Sequence, residues 1–237
     1  TRRRLARDAF AHTAAYDSAI VEWFDRAEDG GPGDASALLD PWTVEANRLI
    51  VDGTVGARLR SSEAVAALES RGLTIDGADF TDARMIEADL KAVTLPGANF
   101  TGANLQRSEM ERAVLGSANF TGAKLRDADL EKASLGDAVF DLADLRDADL
   151  ANAELTGARF NEADLRGAYL RRATAAQASF REALLDKADF ERAQLGAADF
   201  TDARLIGADL DRAEARGARF AGADLTRARL SSTSLVD

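Results

Sequence analysis

From Phe80 to Leu235 every fifth residue is large and apolar: of 32 such positions, only Ala175 and Ala215 are not Leu, Phe or Met. Two residues before each stands Ala, in 29 of the 32 cases, with Val93, Ser108 and Thr233 as the exceptions. Neither a 3.6-residue helical period nor a heptad generates a strict five, so the pattern is that of a solenoid repeat. In an extended segment residues two apart face the same way. Within Ala78-Asp79-Phe80, Ala and Phe therefore face the interior and Asp the solvent. Thr81 and Asp82 must turn the chain before Ala83-Arg84-Met85 repeats the pattern. Gly97, Gly102 and Gly122 fall in the second corner place, which suits a corner that is tight or needs positive φ.

A second period sets the number of sides. Phe occupies 80, 100, 120 and every twentieth position to 220, and Phe190 alone in the repeat region lies outside that series. Twenty residues thus make one turn with four sides, one of them carrying a Phe ladder. Ala at the other inward place keeps the interior thin, because four large side chains per turn already fill it. About eight turns at a rise of ~4.8 Å predict a stack ~38 Å long.

Segments such as Ala98-Asn99-Phe100-Thr101-Gly102 and Ala128-Asp129-Leu130 resemble the consensus of the pentapeptide-repeat family over residues 73–237. The resemblance implies an all-β repeat fold, a right-handed quadrilateral β-helix. Some members of that family, quinolone-resistance proteins among them, imitate the shape and charge of DNA and bind gyrase or topoisomerase IV. Two features depart from those members: no projecting loop interrupts the turns, and no C-terminal helix follows them.

Residues 1–72 read as a small helical segment that caps the first turn. Leu5, Phe10, Ala14, Ile20, Val21 and Phe24 give residues 1–25 an amphipathic helical face. A linker falls near 26–36, around Gly30-Gly31-Pro32-Gly33. Short helices are expected from Pro41 to Val51 and from Ser61 or Ser62 to Ser70, with Asp40 and the serines as N-caps. Residues 1–24, through Ala9-Phe10-Ala11-His12-Thr13-Ala14-Ala15-Tyr16-Asp17, also resemble a short segment of the bifunctional purine-biosynthesis enzyme that joins a formyltransferase to an IMP cyclohydrolase. Neither catalytic domain of that enzyme is present, so the resemblance implies at most a fragment or fusion remnant.

Candidate chemistry is sparse. The chain has no Cys and one His, His12, so the repeat region holds no thiolate metal site and no Ser-His-Asp arrangement. Phosphate-binding and zinc-protease motifs are missing. No cofactor is expected, and the chain reads as a binding or scaffold protein rather than an enzyme. No apolar run approaches the length of a membrane span, and no signal peptide is evident. Together with the lack of Cys, this places the protein in the cytoplasm.

Charge changes the picture of partners. The net charge is −11, and residues 76–237 carry 29 acidic and 21 basic residues. An acidic surface disfavours direct contact with nucleic acid or membrane and favours basic protein surfaces. On the third side the outward residues are Asp89, Glu109, Asp129, Asp149, Tyr169, Asp189 and Asp209. Six of these seven are acidic, forming a strip one turn apart. Arg112, Lys132, Arg172, Arg192 and Arg212 form a basic column three positions further on. The strip is therefore either a self-neutralised surface or a negative face shaped for a basic protein partner, gyrase or topoisomerase IV in its sharpest version. Reversing Asp129 and Asp149 to Lys is expected to leave the fold intact. Finally, Leu225, Leu230 and Leu235 lie in or near a last turn with no cover, and its strand edges favour a tail-to-tail homodimer.

Overall fold

A computed structural model describes residues 77–235. The expectations for 1–72 lie outside the described residues.

The described residues form eight stacked rungs that repeat every twenty residues, numbered here from 78–97 to 218–235. In rung 1 the four sides are 78–80, 83–85, 88–90 and 93–95, and the corners are 81–82, 86–87, 91–92 and 96–97. Each side is held to the next rung by a parallel bridge between residues twenty apart, as in Asp79 to Asn99, Arg84 to Asn104, Asp89 to Glu109 and Thr94 to Val114. These bridges continue without a register shift to Glu214–Ser234.

The five-residue step follows from one turn used at every corner. The Phe80 carbonyl accepts the Ala83 N–H at 3.0 Å, and Asp82 between them has φ 57°. A positive φ at the third place of a four-residue turn is the type II signature. Every second corner residue from Gly77 to Ser232 has it, glycine or not. The glycine expectation thus holds. The sharper finding is that Leu142, at φ 61°, tolerates the same left-handed backbone.

The interior is the predicted one. Phe80 and the large residue of nearly every repeat after it are buried, with the repeat alanines between them. Phe rings of the first side stack from Phe80 to Phe220 at 4.7–4.9 Å, their planes within 7° of parallel. That spacing is the rung rise, so the ladder is a consequence of the backbone stack. Phe190 enters from the opposite side and meets Phe180 and Phe200 edge-on, at 5.7 and 5.9 Å. This is the favoured geometry for a ring meeting an aromatic stack at right angles. The small Ala175 and Ala215 sit on the adjacent fourth side in the rungs before and after it. The two exceptions to the large-residue rule therefore neighbour the one extra Phe.

Rung 8 is less covered. Phe220, Leu225 and Leu230 are partly buried against the core, and Leu235 is 47% exposed. Among the described residues, the N–H groups of Phe220, Leu225 and Leu230 have no backbone acceptor.

Candidate protein-binding face

The backbone explains why the outward place favours Asp and Asn. Of the five N–H groups in a repeat, four find backbone acceptors: for Phe100 to Asn104 these are the donors Phe100, Gly102, Ala103 and Asn104. The first corner residue, Thr101, has none. A carboxylate or amide two residues earlier supplies it, as Asn99 Oδ1 does for the Thr101 N–H at 3.2 Å. This is an Asx-turn, and it recurs at sides whose outward residue is Asp or Asn, as at Asn119, Asp164 and Asp199.

On the third side this use takes up one oxygen of most strip acids. Oδ1 of Asp89, Asp129, Asp149, Asp189 and Asp209 accepts the N–H of Lys91, Glu131, Ala151, Glu191 and Asp211, at 2.8–3.3 Å. Asp129, Asp149, Asp189 and Asp209 are accordingly half-buried, and Asp89 and Glu109 are exposed. Reversal to Lys would remove these acceptors from the Glu131 and Ala151 amides.

The compensation also differs from the one read off the sequence. The basic column pairs mainly with its own corner: Arg112 with Glu111 at 3.4 Å, Lys132 with Glu131 at 2.7 Å and Arg192 with Glu191 at 3.5 Å. Strip acids are neutralised along a diagonal eighteen residues long, from a first corner residue to the outward place of the next rung. Lys91 meets Glu109 at 2.6 Å and Arg171 meets Asp189 at 2.5 Å. The Glu109 carboxylate lifts the Lys91 ammonium above its usual range. Arg229 meets Asp209 at 2.9 Å and Asp211 at 2.5 Å. On the first and second sides the same diagonal also runs with its charges exchanged, Asp141 with Arg159 and Asp186 with Arg204, while Arg181 with Asp199 keeps the original sense. Where Arg159 and Arg229 replace the outward acid, Asp141 and Asp211 from the rung below supply the corner amide instead.

Three strip acids remain without an ion-pair partner among the described residues: Asp89, Asp129 and Asp149. Next to Asp149 in the column stands Tyr169, bridged to both Asp149 and Asp189 and 48% exposed. Tyr169 is the one exposed aromatic among the described residues. Sequence reasoning saw it only as a break in the strip; its neighbours become visible once the chain is aligned rung on rung.

The geometry offers little to catalysis. A shallow hollow of about 310 Å³ lies between Arg171, Glu191, Asp209, Arg212 and Arg229, with both signs of charge on its walls. Among the described residues no group of His, Cys, Asp or Glu is placed to hold a metal ion, and no helix is long and apolar enough to cross a membrane.

Parallel bridges twenty residues apart, a four-sided turn and an aromatic ladder define a pentapeptide-type β-solenoid. The family model for pentapeptide repeats matches in eight copies between residues 71 and 235, and the chain belongs to that family. Among solved structures it is similar to QnrB1, a plasmid-mediated fluoroquinolone resistance protein. The TM-score is 0.61 at 18% identity, covering 68% of this chain and 84% of that one. It is also similar to HetL, a pentapeptide repeat protein involved in heterocyst differentiation regulation from the cyanobacterium Nostoc. That match is 29% identical over 67% of this chain and 83% of that one, with a TM-score of 0.30. Over 42 residues the chain is 57% identical to the bifunctional purine biosynthesis protein PurH of Synechococcus. It covers 17% of this chain and spans only 8% of that protein.

Proposed function

We propose that the protein is a non-enzymatic binding or scaffold protein of the cytoplasm, whose acidic third side docks against a basic surface of a protein partner. The observation that carries this reading is the run Asp129–Asp149. It consists of two carboxylates on adjacent rungs that have no ion-pair partner among the described residues, on a side whose other acids are mostly paired. Desolvated charge of one sign steers and orients a partner of the other sign. The sharper version, in which the stack mimics DNA and binds gyrase or topoisomerase IV, is supported by the likeness to QnrB1 in fold and by the same acidic column. The interleaved cations set it apart from a phosphate ladder, which carries a full charge every ~1.7 Å.

The clean test neutralises rather than reverses. Asp129→Asn with Asp149→Asn keeps the corner amide bonds, because an Asn oxygen accepts them equally, and removes two charges. Capture from cell lysate by the full chain should lose a defined set of proteins in this variant and at high salt. Identical capture by both chains contradicts the reading. For the sharper version, purified gyrase is assayed for supercoiling with and without the protein, and no effect of the wild-type chain removes it.

A further inference from the structure

Backbone bonds and the Phe stack repeat at every rung boundary, so the boundaries differ chiefly in their surface side chains. The recurring tie is the diagonal from a first corner residue to the outward residue eighteen places on. Boundary 1–2 has two such ties: Asn99 Nδ2 donates to Thr81 Oγ1 at 2.8 Å, and Lys91 meets Glu109 at 2.6 Å. Each boundary from 4–5 to 7–8 has two as well, as at 5–6, where the Ser179 hydroxyl donates to Asn161 and Arg171 meets Asp189. Boundary 2–3 has none. There Arg112 and Lys132 pair within their own rungs, and among the described residues no side-chain hydrogen bond or ion pair crosses. Boundary 3–4 also lacks a diagonal tie, and only Arg126 reaches across it, to Asp147 at 3.7 Å. On the third side both boundaries set acid against acid on the diagonal, Glu111 before Asp129 and Glu131 before Asp149.

We propose that the stack carries a weak seam on either side of rung 3, at which rungs 1 and 2 part from rungs 4 to 8 as one body. A solenoid is held by contacts between neighbouring rungs only, so its stability is close to a sum over boundaries. Such a coil opens first where the sum is smallest, and the amides beyond that boundary are exposed together. A single exposed ion pair contributes little, and a like-charged pair costs a similar amount. Two missing ties and one repulsion at a boundary together favour opening there by about tenfold. The winding sets the place: the same corner that carries Lys91 in rung 1 and Arg171 in rung 5 carries Glu111 and Glu131 in rungs 2 and 3. Boundary 6–7 has an acid pair on this diagonal too, Glu191 before Asp209, but Arg181 with Asp199 and Asp186 with Arg204 hold its first and second sides.

Native-state hydrogen exchange of the full chain, read by mass spectrometry in peptides that resolve the rungs, tests this. The expected result is one shared protection for the bonded amides of rungs 1 and 2, with a rise of about tenfold between rung 2 and rung 4. Glu111→Lys with Glu131→Lys gives both diagonals the signs of the Lys91–Glu109 tie. In that variant the protection of rungs 1 and 2 should rise at least about threefold. Glu182→Lys with Glu191→Lys makes the same charge change in rung 6 and should leave rungs 1 and 2 as they are. Fraying from the end of the coil predicts a different result, a smooth gradient inward from rung 1 without a step. That gradient, an unchanged exchange in Glu111→Lys with Glu131→Lys, or an equal gain from the rung 6 pair overturns the proposal. None of these outcomes bears on whether the third side binds a protein, which the capture experiment tests separately.

Discussion

At each first corner residue one backbone amide is left without a backbone acceptor, and where Asp or Asn stands two places earlier its side chain can answer it. That single need accounts for Asp and Asn at the outward place more directly than solubility does, and it gives most strip acids a structural duty as well as a charge. The second corner residue has a different constraint, a left-handed backbone that costs an L-residue about 1–2 kcal/mol. Leu142 meets that cost with its side chain 59% exposed and little packing in return. Leu142→Gly should therefore raise stability by up to about 1 kcal/mol, the gain being trimmed by glycine's greater freedom when unfolded. A denaturant melt that shows a loss instead would mean that Leu142 packs where the geometry shows it exposed. In the interior the sign is opposite. Phe140 is fully buried and stacked on Phe120 and Phe160 at 4.7 Å. Phe140→Ala should cost about 3–5 kcal/mol, since rungs tied on both faces cannot collapse into the hole. A loss below about 1 kcal/mol would refute the inside–outside assignment.

The rung is the structural element, and its surface chemistry runs along the diagonal of eighteen residues, the counterpart here of the i, i+4 pair on a helix. Shorter pairs support it. Asp144 takes both the Arg146 guanidinium, at 2.6 Å, and the Arg146 N–H, and these hold its carboxyl below the usual carboxylate range. A carboxylate depressed in the folded state adds stability that is full above its unfolded pKa of about 3.9 and is lost as the pH falls through the folded value. Asp224, whose side chain accepts the Thr226 hydroxyl and N–H, shifts the same way. Stability should therefore be level above about pH 5 and decline below about pH 4, with a shallower acid decline in Asp144→Asn. A parallel decline in both chains would mean that the Asp144 pair contributes nothing to acid sensitivity. Most of the element is legible in the sequence, because a period of five with Phe at every twentieth place admits one inside, one outside and four corners. The pairing is not. Arg112 is three residues from Glu109 in sequence, which suggests a partner, yet the turn carries it to Glu111. The base that serves Glu109 is Lys91, eighteen residues earlier. Distances across rungs appear only when the coil is wound.

Across the stack, charge and edges determine what the protein meets. The same winding pairs three of the six strip acids, Glu109, Asp189 and Asp209, and leaves Asp89, Asp129 and Asp149 without an ion-pair partner among the described residues, so the candidate site was only partly legible in residue types. Tyr169 acquires meaning from Asp149 and Asp189, its bridge partners twenty residues to either side. At rung 8, sedimentation velocity on the wild-type chain and on Leu235→Glu addresses the tail-to-tail dimer. A dimer lost in the variant supports it, and a monomer for the wild-type chain at tens of micromolar removes it. The central claim is that the third side binds a protein partner through carboxylates the coil leaves free. Its most direct test is quantitative capture by the wild-type chain and by Asp129→Asn with Asp149→Asn, from about 0.1 M to about 1 M salt, where the screening length falls from about 10 Å to about 3 Å. The account predicts at least one protein whose capture falls tenfold or more both in the variant and at high salt, with both chains equally folded. A capture profile that neither the variant nor salt alters would contradict it.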